Sequence, residues 1–367
     1  MSAPVLHVTG QILVGPEEVH DEIWVVDGRV SLSAPTGGEV ETIRGYALPG
    51  LVDAHCHVGL EAQGAVDDAR AEEHALAERD AGALLLRDAG SPADTRWVQD
   101  REDLPRLIRA GRHIARTRRY IRNFAWEIEP EDLVAYVRQE ARAGDGWVKL
   151  VGDWIDRETG DLGTCWPVDV LTEAIAAAHE EGARVTAHCF GEQSLVDFAA
   201  AGTDCIEHAT GLVDDTIDTF AAQGIAIVPT LVNIDNFPGF ADAGRGKFPT
   251  YADHMMDLYA RRHETVAKAH EAGIPVYAGT DAGGQLPHGL VAQEVEALTR
   301  AGMSATEALG AATWSAREWL GRPGIAEGES ADLVVYREDP RADVRVLAHP
   351  EHVVLRGHRH PRSGVSG

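Results

Sequence analysis

Short apolar segments alternate with alanine-rich helical segments through most of this 367-residue chain. The apolar segments have the length and composition of buried β-strands, and the segments between them have a helical period. This alternation predicts successive βα units around a parallel sheet. The predicted strands are residues 50–54, 83–88, 107–110, 147–151, 184–188, 205–208, 226–230 and 275–280.

Eight such units favour one α/β architecture over another. A (β/α)8 TIM barrel typically takes about 250 residues, close to the length that these units occupy. A doubly wound open sheet is the alternative, but no G-x-G-x-x-G motif opens a helix after the first strand. We therefore predict a (β/α)8 barrel over residues 48–322.

The two ends of the chain differ from the middle. Residues 6–14, 22–30 and 43–48 alternate like strands, and so do residues 331–336 and 352–357. Neither end has a helical period long enough for a further βα unit. We predict one small β-sandwich domain built from both termini, residues 1–47 plus 323–367.

Charge and cysteine usage limit the classes of partner and location. A formal net charge of -26 argues against binding to nucleic acid or to an anionic membrane. No apolar run approaches the roughly 20 residues that span a bilayer, and the first residues lack a secretory signal pattern. The four scattered cysteines suit reduced thiols, so we expect a cytoplasmic protein that acts on a small molecule. The sequence is compatible with a homo-oligomer and does not fix the oligomeric state.

Polar residues of metal-ligand type end several predicted strands. In a barrel of this kind, the groups that perform chemistry lie at the carboxyl ends of the strands. Histidine and aspartate are common zinc ligands. The sequence therefore predicts a metal centre formed by five strand-end residues: His55, His57, His188, His208 and Asp281.

Lys149 lies within a predicted buried strand, where an unpaired ammonium is unfavourable. One explanation is a salt bridge to Asp281 or Glu207. The explanation that we favour is a lysine carboxylated by carbon dioxide, whose carbamate oxygens would bridge two metal ions.

These residues and the phrases around them resemble the amidohydrolase superfamily. The segments Pro49–His57, Ile206–Thr210 and Gly279–Gly283 are similar to the imidazolonepropionase and Xaa-Pro dipeptidase (prolidase-like) branch. The resemblance implies two divalent ions, predicted to be zinc, bridged by carboxylated Lys149. His55, His57 and Asp281 would hold the more buried ion. His188 and His208 would hold the more exposed one.

The resemblance also implies a reaction. A hydroxide shared by the two ions would attack a carbonyl, with Asp281 as general base and then general acid. The expected substrate has an amide or cyclic amide C–N bond in a small or dipeptide-like molecule. The predicted substrate contacts are Arg118, Tyr120, Trp154, Phe190 and His288, although His288 also suits a helix cap.

Two other functions stay open at this stage. One is a mononuclear deaminase or an imidazolonepropionase-type ring hydrolase, in which Glu192 would donate a proton. Lys149 argues against it, because a single ion needs no bridging lysine. The other is a non-catalytic binding protein, which an intact ligand set disfavours.

Overall fold

The computed structural model describes residues 5–360, in which strands and helices alternate through the middle of the chain. The strands are β1 (Val5–Leu13), β2 (Val19–Val26), β3 (Arg29–Ser31), β4 (Val40–Pro49), β5 (Leu51–Glu61), β6 (Gly64–Ala65), β7 (Ala83–Asp88), β8 (Arg106–Arg109), β9 (Ile114–Arg116), β10 (Trp126–Ile128), β11 (Trp147–Val151), β12 (Asp153–Asp156), β13 (Asp161–Thr164), β14 (Arg184–Cys189), β15 (Cys205–His208), β16 (Ala226–Val228), β17 (Ala282–Gly284), β18 (Leu333–Tyr336), β19 (His352–Leu355) and β20 (His358–His360). The helices are α1 (Asp68–Asp80), α2 (Leu133–Ala143), α3 (Val168–Glu180), α4 (Glu192–Ala201), α5 (Asp214–Gln223), α6 (Leu231–Ile234), α7 (Phe237–Arg245), α8 (Pro249–Glu271), α9 (Val291–Arg300), α10 (Ala305–Ala311) and α11 (Trp314–Trp319).

Strands from both ends of the chain pair in one seven-stranded sheet, in the order β20-β19-β18-β4-β1-β2-β3. β4 joins the two ends, because it runs parallel to β1 on one side and antiparallel to β18 on the other. Val8, Ile23 and Leu333 belong to the apolar cluster that this sheet buries. The predicted sandwich and the domain boundaries at 47/48 and 322/323 stay predictions.

The middle of the chain forms two further sheets whose main pairs are parallel. One has the order β10-β9-β11-β14-β15-β16, and the other has the order β17-β5-β7-β8, with β6 paired to β5. Buried aliphatic residues fill these strands, as expected where helices cover a parallel sheet. The predicted mixed α/β class is therefore confirmed.

The regular ladders within residues 5–360 do not join into one closed ring. Single hydrogen bonds connect the two sheets instead, from the Tyr277 amide to the Ile227 carbonyl at 3.0 Å and from the Ala54 amide to the Ala278 carbonyl at 2.8 Å. The predicted strand 275–280 is accordingly not a regular strand. At its end, the Thr280 amide donates to the His55 carbonyl at 3.0 Å and to Asp53 Oδ1 at 3.1 Å, and the Thr280 hydroxyl donates to Asp53 Oδ2 at 2.5 Å.

A cap covers the carboxyl ends of the parallel strands. It consists of the β12–β13 hairpin and helices α7 and α8, which follow β11 and β16 along the chain. Phe190, at the end of β14, joins Phe237, Tyr251 and Met255 of these helices in one buried apolar cluster. This packing places an apolar surface over the strand ends.

Two further observations bear on the sequence predictions. All four cysteines are free and buried. No helix in the described part of the chain has the length and apolar character needed to cross a membrane.

Candidate metal centre

His55 and His57 lie near the middle of β5 with their Nε2 atoms 3.1 Å apart. Each ring bonds to a fixed acceptor through its other nitrogen. His55 Nδ1 donates to Glu207 Oε2 at 2.6 Å, and His57 Nδ1 donates to the Gly90 carbonyl at 2.7 Å. Because Nδ1 of each ring bonds to one of these acceptors, both Nε2 atoms are directed into the same space.

Asp281 completes this group from the other side. Its Oδ1 lies 3.1 Å from His55 Nε2 and 2.9 Å from His57 Nε2, while Oδ2 accepts a hydrogen bond from Asn233 at 2.7 Å. Burial acts to raise the pKa of the carboxyl, but the neighbouring imidazoles outweigh it and hold the pKa well below its usual range. Asp281 is therefore an ionised acceptor facing two ring nitrogens.

His208 and His188 end the neighbouring strands β15 and β14. His208 Nδ1 bonds to Thr230 Oγ1 at 2.7 Å, and the two histidine rings lie 4.7 Å apart. His188 Nε2 is buried and has no hydrogen-bond partner among residues 5–360. Desolvation lowers the pKa of His208 to about 3 and that of His188 well below its usual value. Both rings are neutral, which is the form that binds metal.

The group fits a divalent cation. Ligand atoms of His55, His208 and Asp281 all lie within 4.8 Å of one another. The Nε2 atoms of His55 and His57 lie 3.1 and 2.9 Å from Oδ1 of the ionised Asp281, and a cation at this point would bind all three atoms in place of the protons that they share. Imidazole nitrogen and carboxylate oxygen are ligands that suit zinc.

Lys149 is 1% exposed and lies on β11, next to β14. Burial lowers the pKa of its ammonium, against the attraction of Glu207 and Asp281. Neither carboxylate forms a salt bridge with it within the described residues, because Glu207 pairs with Arg87 and His55 while Asp281 pairs with histidines. The simple salt-bridge explanation for Lys149 is therefore not observed.

A buried ion pair between Arg87 and Glu207 lies next to His55 and fixes its position. Arg87 and Glu207 are both 0% exposed, and Arg87 Nη2 donates to Glu207 Oε1 at 2.7 Å. The Thr186 hydroxyl donates to the same oxygen, while Glu207 Oε2 accepts from His55. Arg87 Nε also donates to the Ala54 carbonyl at 2.6 Å. Glu207 thus orients His55 and is itself held in place by Arg87.

An apolar pocket of about 430 Å³ opens between the ligand group and the cap. Of the predicted substrate contacts, Tyr120, Trp154 and Phe190 line it, together with His57, His188 and Asp281 of the ligand group. Further aromatic side chains complete its wall: Phe124, Phe240, Phe248 and Tyr251. Lys247, in the turn between α7 and α8, is the one basic residue of its described lining.

The other two predicted substrate contacts do not line this pocket. Arg118 is exposed, in a turn with φ of 61°. His288 points toward helix α1, where its Nδ1 bonds to Glu78 at 2.8 Å and its ring stacks on His74. His288 also does not cap the following helix α9, whose N-cap residue is Leu290.

Glu192, the proton donor of the deaminase hypothesis, also points away from the ligand group. It begins α4 and pairs with His254 and Arg261 of α8. These bonds fasten the cap helix and leave Glu192 with a structural role.

His113 is a buried site residue that the sequence analysis missed. Its ring lies 5.0 Å from that of His57, and both of its nitrogens lack a partner in the described chain. It follows β8 after Gly111 and Arg112, so the strand-end rule that selected the other histidines would have found it.

Comparisons with known proteins agree with this geometry. The model of the Amidohydrolase family matches residues 154–359. An uncharacterized protein of Mycobacterium tuberculosis is 59% identical over 353 residues, covering 96% of this chain and 95% of its own. The ochratoxinase of Aspergillus niger is 26% identical over 231 residues, covering 61% of this chain and 47% of its own. A crystal structure of a Xaa-Pro dipeptidase with bound methionine superimposes with a TM-score of 0.81 at 22% identity, covering 97% of this chain and 99% of that one.

Proposed function

This chain belongs to the amidohydrolase family, as its motifs predict, and we propose that it hydrolyses an amide bond in a small molecule by means of two divalent metal ions. The observation that carries the proposal is the meeting of His55, His208 and Asp281 next to an aromatic pocket that Asp281 lines. The similarity in fold to a Xaa-Pro dipeptidase supports the prolidase-like branch.

The ligand set divides into two groups. His55, His57 and Asp281 would hold one ion, and His188 and His208 would hold the other. When bound, the ions, which we propose are zinc, would polarise the substrate carbonyl and lower the pKa of a water molecule. The chain's own contribution is to fix four of the five ligands before metal arrives, through the bonds of their distal atoms to Glu207, Gly90, Thr230 and Asn233.

Asp281 is the residue that we propose moves the proton. Asn233 holds its Oδ2 at 2.7 Å and so directs the other oxygen toward the histidines. A carboxylate in this position can take the proton of the attacking water and give it to the departing amine. Its place in the lining of the pocket brings it within reach of a bound substrate.

We propose that Lys149 carries a carboxyl group. Its ammonium would first lose one proton, and the neutral amine would then add to carbon dioxide and release a second, so that a buried cation is replaced by an anion. The missing salt-bridge partner supports this, because a buried ammonium ordinarily has one. The strand positions also support it. Lys149 lies opposite Thr186 of β14, and Thr186 points to the same face of the strand as His188, two residues further on.

The pocket suggests the kind of substrate. Its aromatic wall suits a bulky apolar group next to the scissile bond, and Lys247 at the entrance suits a carboxylate. The names of the relatives are compatible with this, since the ochratoxinase and the Xaa-Pro dipeptidase are both hydrolases. We propose N-acyl amino acids and dipeptides with aromatic side chains as the first substrates to test.

We also propose that the two parallel sheets are parts of one (β/α)8 barrel. The hydrogen bonds from Tyr277 to Ile227 and from Ala54 to Ala278 support closure on one side. The bond from the Asp145 amide to the Arg109 carbonyl, at 2.8 Å, supports it on the other.

The decisive experiment is a metal count with a matched lysine variant. We expect about two zinc ions per chain in the loaded wild type, and at least one ion fewer in Lys149→Ala, with loss of nearly all amide hydrolysis. Added acetate should restore part of the activity of Lys149→Ala. Lys247→Ala, which removes an exposed lysine of the pocket entrance, should keep both ions.

Two results would contradict the binuclear proposal. The first is a Lys149→Ala protein that keeps two ions and full turnover. The second is a wild type that binds about one ion and releases ammonia from its substrate, which would favour the deaminase alternative.

A further inference from the structure

A second cavity, of about 450 Å³, lies between the terminal sheet and the opposite ends of the parallel strands. Arg106, the first residue of β8, lines it, as does Asp332 before β18. The candidate metal centre lies at the carboxyl ends of these strands, so the two cavities are separate. A volume of this size is within the usual range of about 300–1,000 Å³ for small-molecule sites.

Arginine dominates the lining of this cavity. Five arginines face two carboxylates, Glu329 and Asp332, which leaves an excess of three positive charges. The arginines are Arg29, Arg106, Arg317, Arg322 and Arg356. The whole chain has only 33 basic residues against 59 acidic ones. A concentration of positive charge in such an acidic protein calls for a counter-charge.

The protein supplies part of that counter-charge, because Asp332 and two carboxylates outside the lining, Glu102 and Asp103, attract the arginines. Asp332 accepts from Arg106 at 2.8 Å, but Arg317 donates to the backbone carbonyls of Gly50 and Pro323. Arg356 likewise donates to backbone carbonyls, those of Glu102 and Leu104. A carbonyl oxygen satisfies a donor but does not neutralise a charge. Arg317 is 3% exposed, and burial lowers its pKa to about 10, with repulsion from Arg106 adding to the effect.

Two further features mark the arginines as more than packing residues. Arg356 has a φ of 50° and precedes Gly357 in the two-residue turn between β19 and β20. That turn position favours asparagine, aspartate or glycine, so an arginine there is conformationally unfavourable. Arg322 is exposed at the entrance, and no hydrogen bond or salt bridge is recorded for its side chain within residues 5–360.

We propose that this cavity binds the phosphate group of a small phosphorylated molecule, held by Arg106, Arg322 and Arg356. Guanidinium groups bind phosphate through paired, charge-assisted hydrogen bonds, and the dianion would offset most of the excess charge. The site joins the terminal sheet to the parallel strands, so its ligand would stabilise their contact. It is independent of the proposed hydrolase activity.

The test measures thermal unfolding and calorimetric binding of the full chain with two probes, inorganic phosphate and glucose 6-phosphate. Potassium chloride at equal ionic strength is the reference. We expect phosphate to raise the Tm in a saturable manner and by more than potassium chloride does at the same ionic strength. Arg322→Ala and Arg106→Gln should each weaken binding about tenfold or more. Arg337→Ala should bind like the wild type, because Arg337 is 81% exposed and lies outside the cavity.

The two probes separate the possible sources of the phosphate group. Binding of glucose 6-phosphate at least as tightly as inorganic phosphate upholds a phosphorylated molecule as ligand. Binding of inorganic phosphate alone overturns that part and assigns the site to free phosphate.

Other outcomes overturn the site as a whole. One is a Tm response no larger than that to chloride. Another is equal phosphate binding by Arg322→Ala and the wild type, which would place the anion elsewhere, for example at the metal centre. A third is a large loss of Tm in Arg322→Ala without phosphate, which would give this arginine a structural role instead.

Discussion

The buried Arg87–Glu207 pair allows stability and metal positioning to be separated by experiment. Both side chains are 0% exposed and bond at 2.7 Å. Glu207→Gln keeps the shape of the side chain but leaves the Arg87 guanidinium without its counter-charge. Arg87→Met does the reverse and leaves the carboxylate alone. Removing one partner of a buried ion pair typically destabilises a protein by about 3–5 kcal/mol.

The contacts around the pair refine this magnitude. Arg87→Met also loses the bond to the Ala54 carbonyl and the stacking of the guanidinium on Trp147, at 4.6 Å, so we place it at the upper end of that range. In the double variant neither charge is left buried. We therefore expect its destabilisation to fall short of the sum of the single variants by about 2–3 kcal/mol.

Metal affinity should follow a different pattern. Glu207 fixes the Nδ1 proton of His55, so Glu207→Gln should weaken metal binding about 10–100-fold, and so should the double variant. Arg87→Met keeps the carboxylate on His55 and should bind metal nearly like the wild type.

The assays are urea unfolding followed by tryptophan fluorescence and circular dichroism, and zinc titration against a chromophoric competitor. Glu264→Gln is the matched control, because that glutamate belongs to an exposed ion pair with Lys268 and should change stability by less than about 1 kcal/mol. Strictly additive destabilisation by the two single variants would refute the charge argument. Unchanged zinc affinity in Glu207→Gln would refute the role of Glu207 in orienting His55.

Two further predictions concern the cap. Hydrogen bonds to Glu192 and Asp161 raise the pKa of His254 to about 9, above the usual value near 6.5. The stability that this bridge contributes should therefore be complete below about pH 6.5 and should be lost as the pH rises through 9. Tm measured from pH 6 to 10 should fall less steeply in His254→Gln, and parallel curves for the two proteins would contradict this. Lys247→Met should raise KM for N-acyl amino acids with little change in kcat and should leave an esterified analogue unaffected. Arg118→Met is its control, and an equal KM increase for both analogues would argue against a carboxylate contact.

Much of the scaffold could be predicted because buried parallel strands are short apolar segments with clear ends. The predicted strands at 83–88, 147–151 and 205–208 coincide with β7, β11 and β15. The five predicted ligand residues could be selected because each follows or ends such a segment. Local sequence was sufficient for these features.

The cap and its pocket could not be predicted in the same way. The β12–β13 hairpin and helix α7 are held by packing between distant segments, for example Phe190 against Phe237 with ring centroids 4.7 Å apart. Such contacts leave no periodic signal in the sequence of either segment. The cavity lined by arginines has the same origin, since Arg29, Arg106 and Arg356 come from three distant parts of the chain.

The metal centre also departs from the alternation that predicted it. Consecutive residues of a strand point to opposite faces, so Glu207 and His208 should diverge. Yet Glu207 bonds to His55, and the His208 ring lies 5.4 Å from the His55 ring. His208 and Ala209 have φ of 69° and 52°, and this left-handed turn at the end of β15 brings both side chains to one site. A left-handed conformation costs roughly 1–2 kcal/mol per residue, and Asp281 adopts it as well, with φ of 59°. Backbone strain of this kind persists where the surrounding structure enforces it, and here it directs the His208 ring and the Glu207 carboxylate of one parallel strand toward the same candidate metal site.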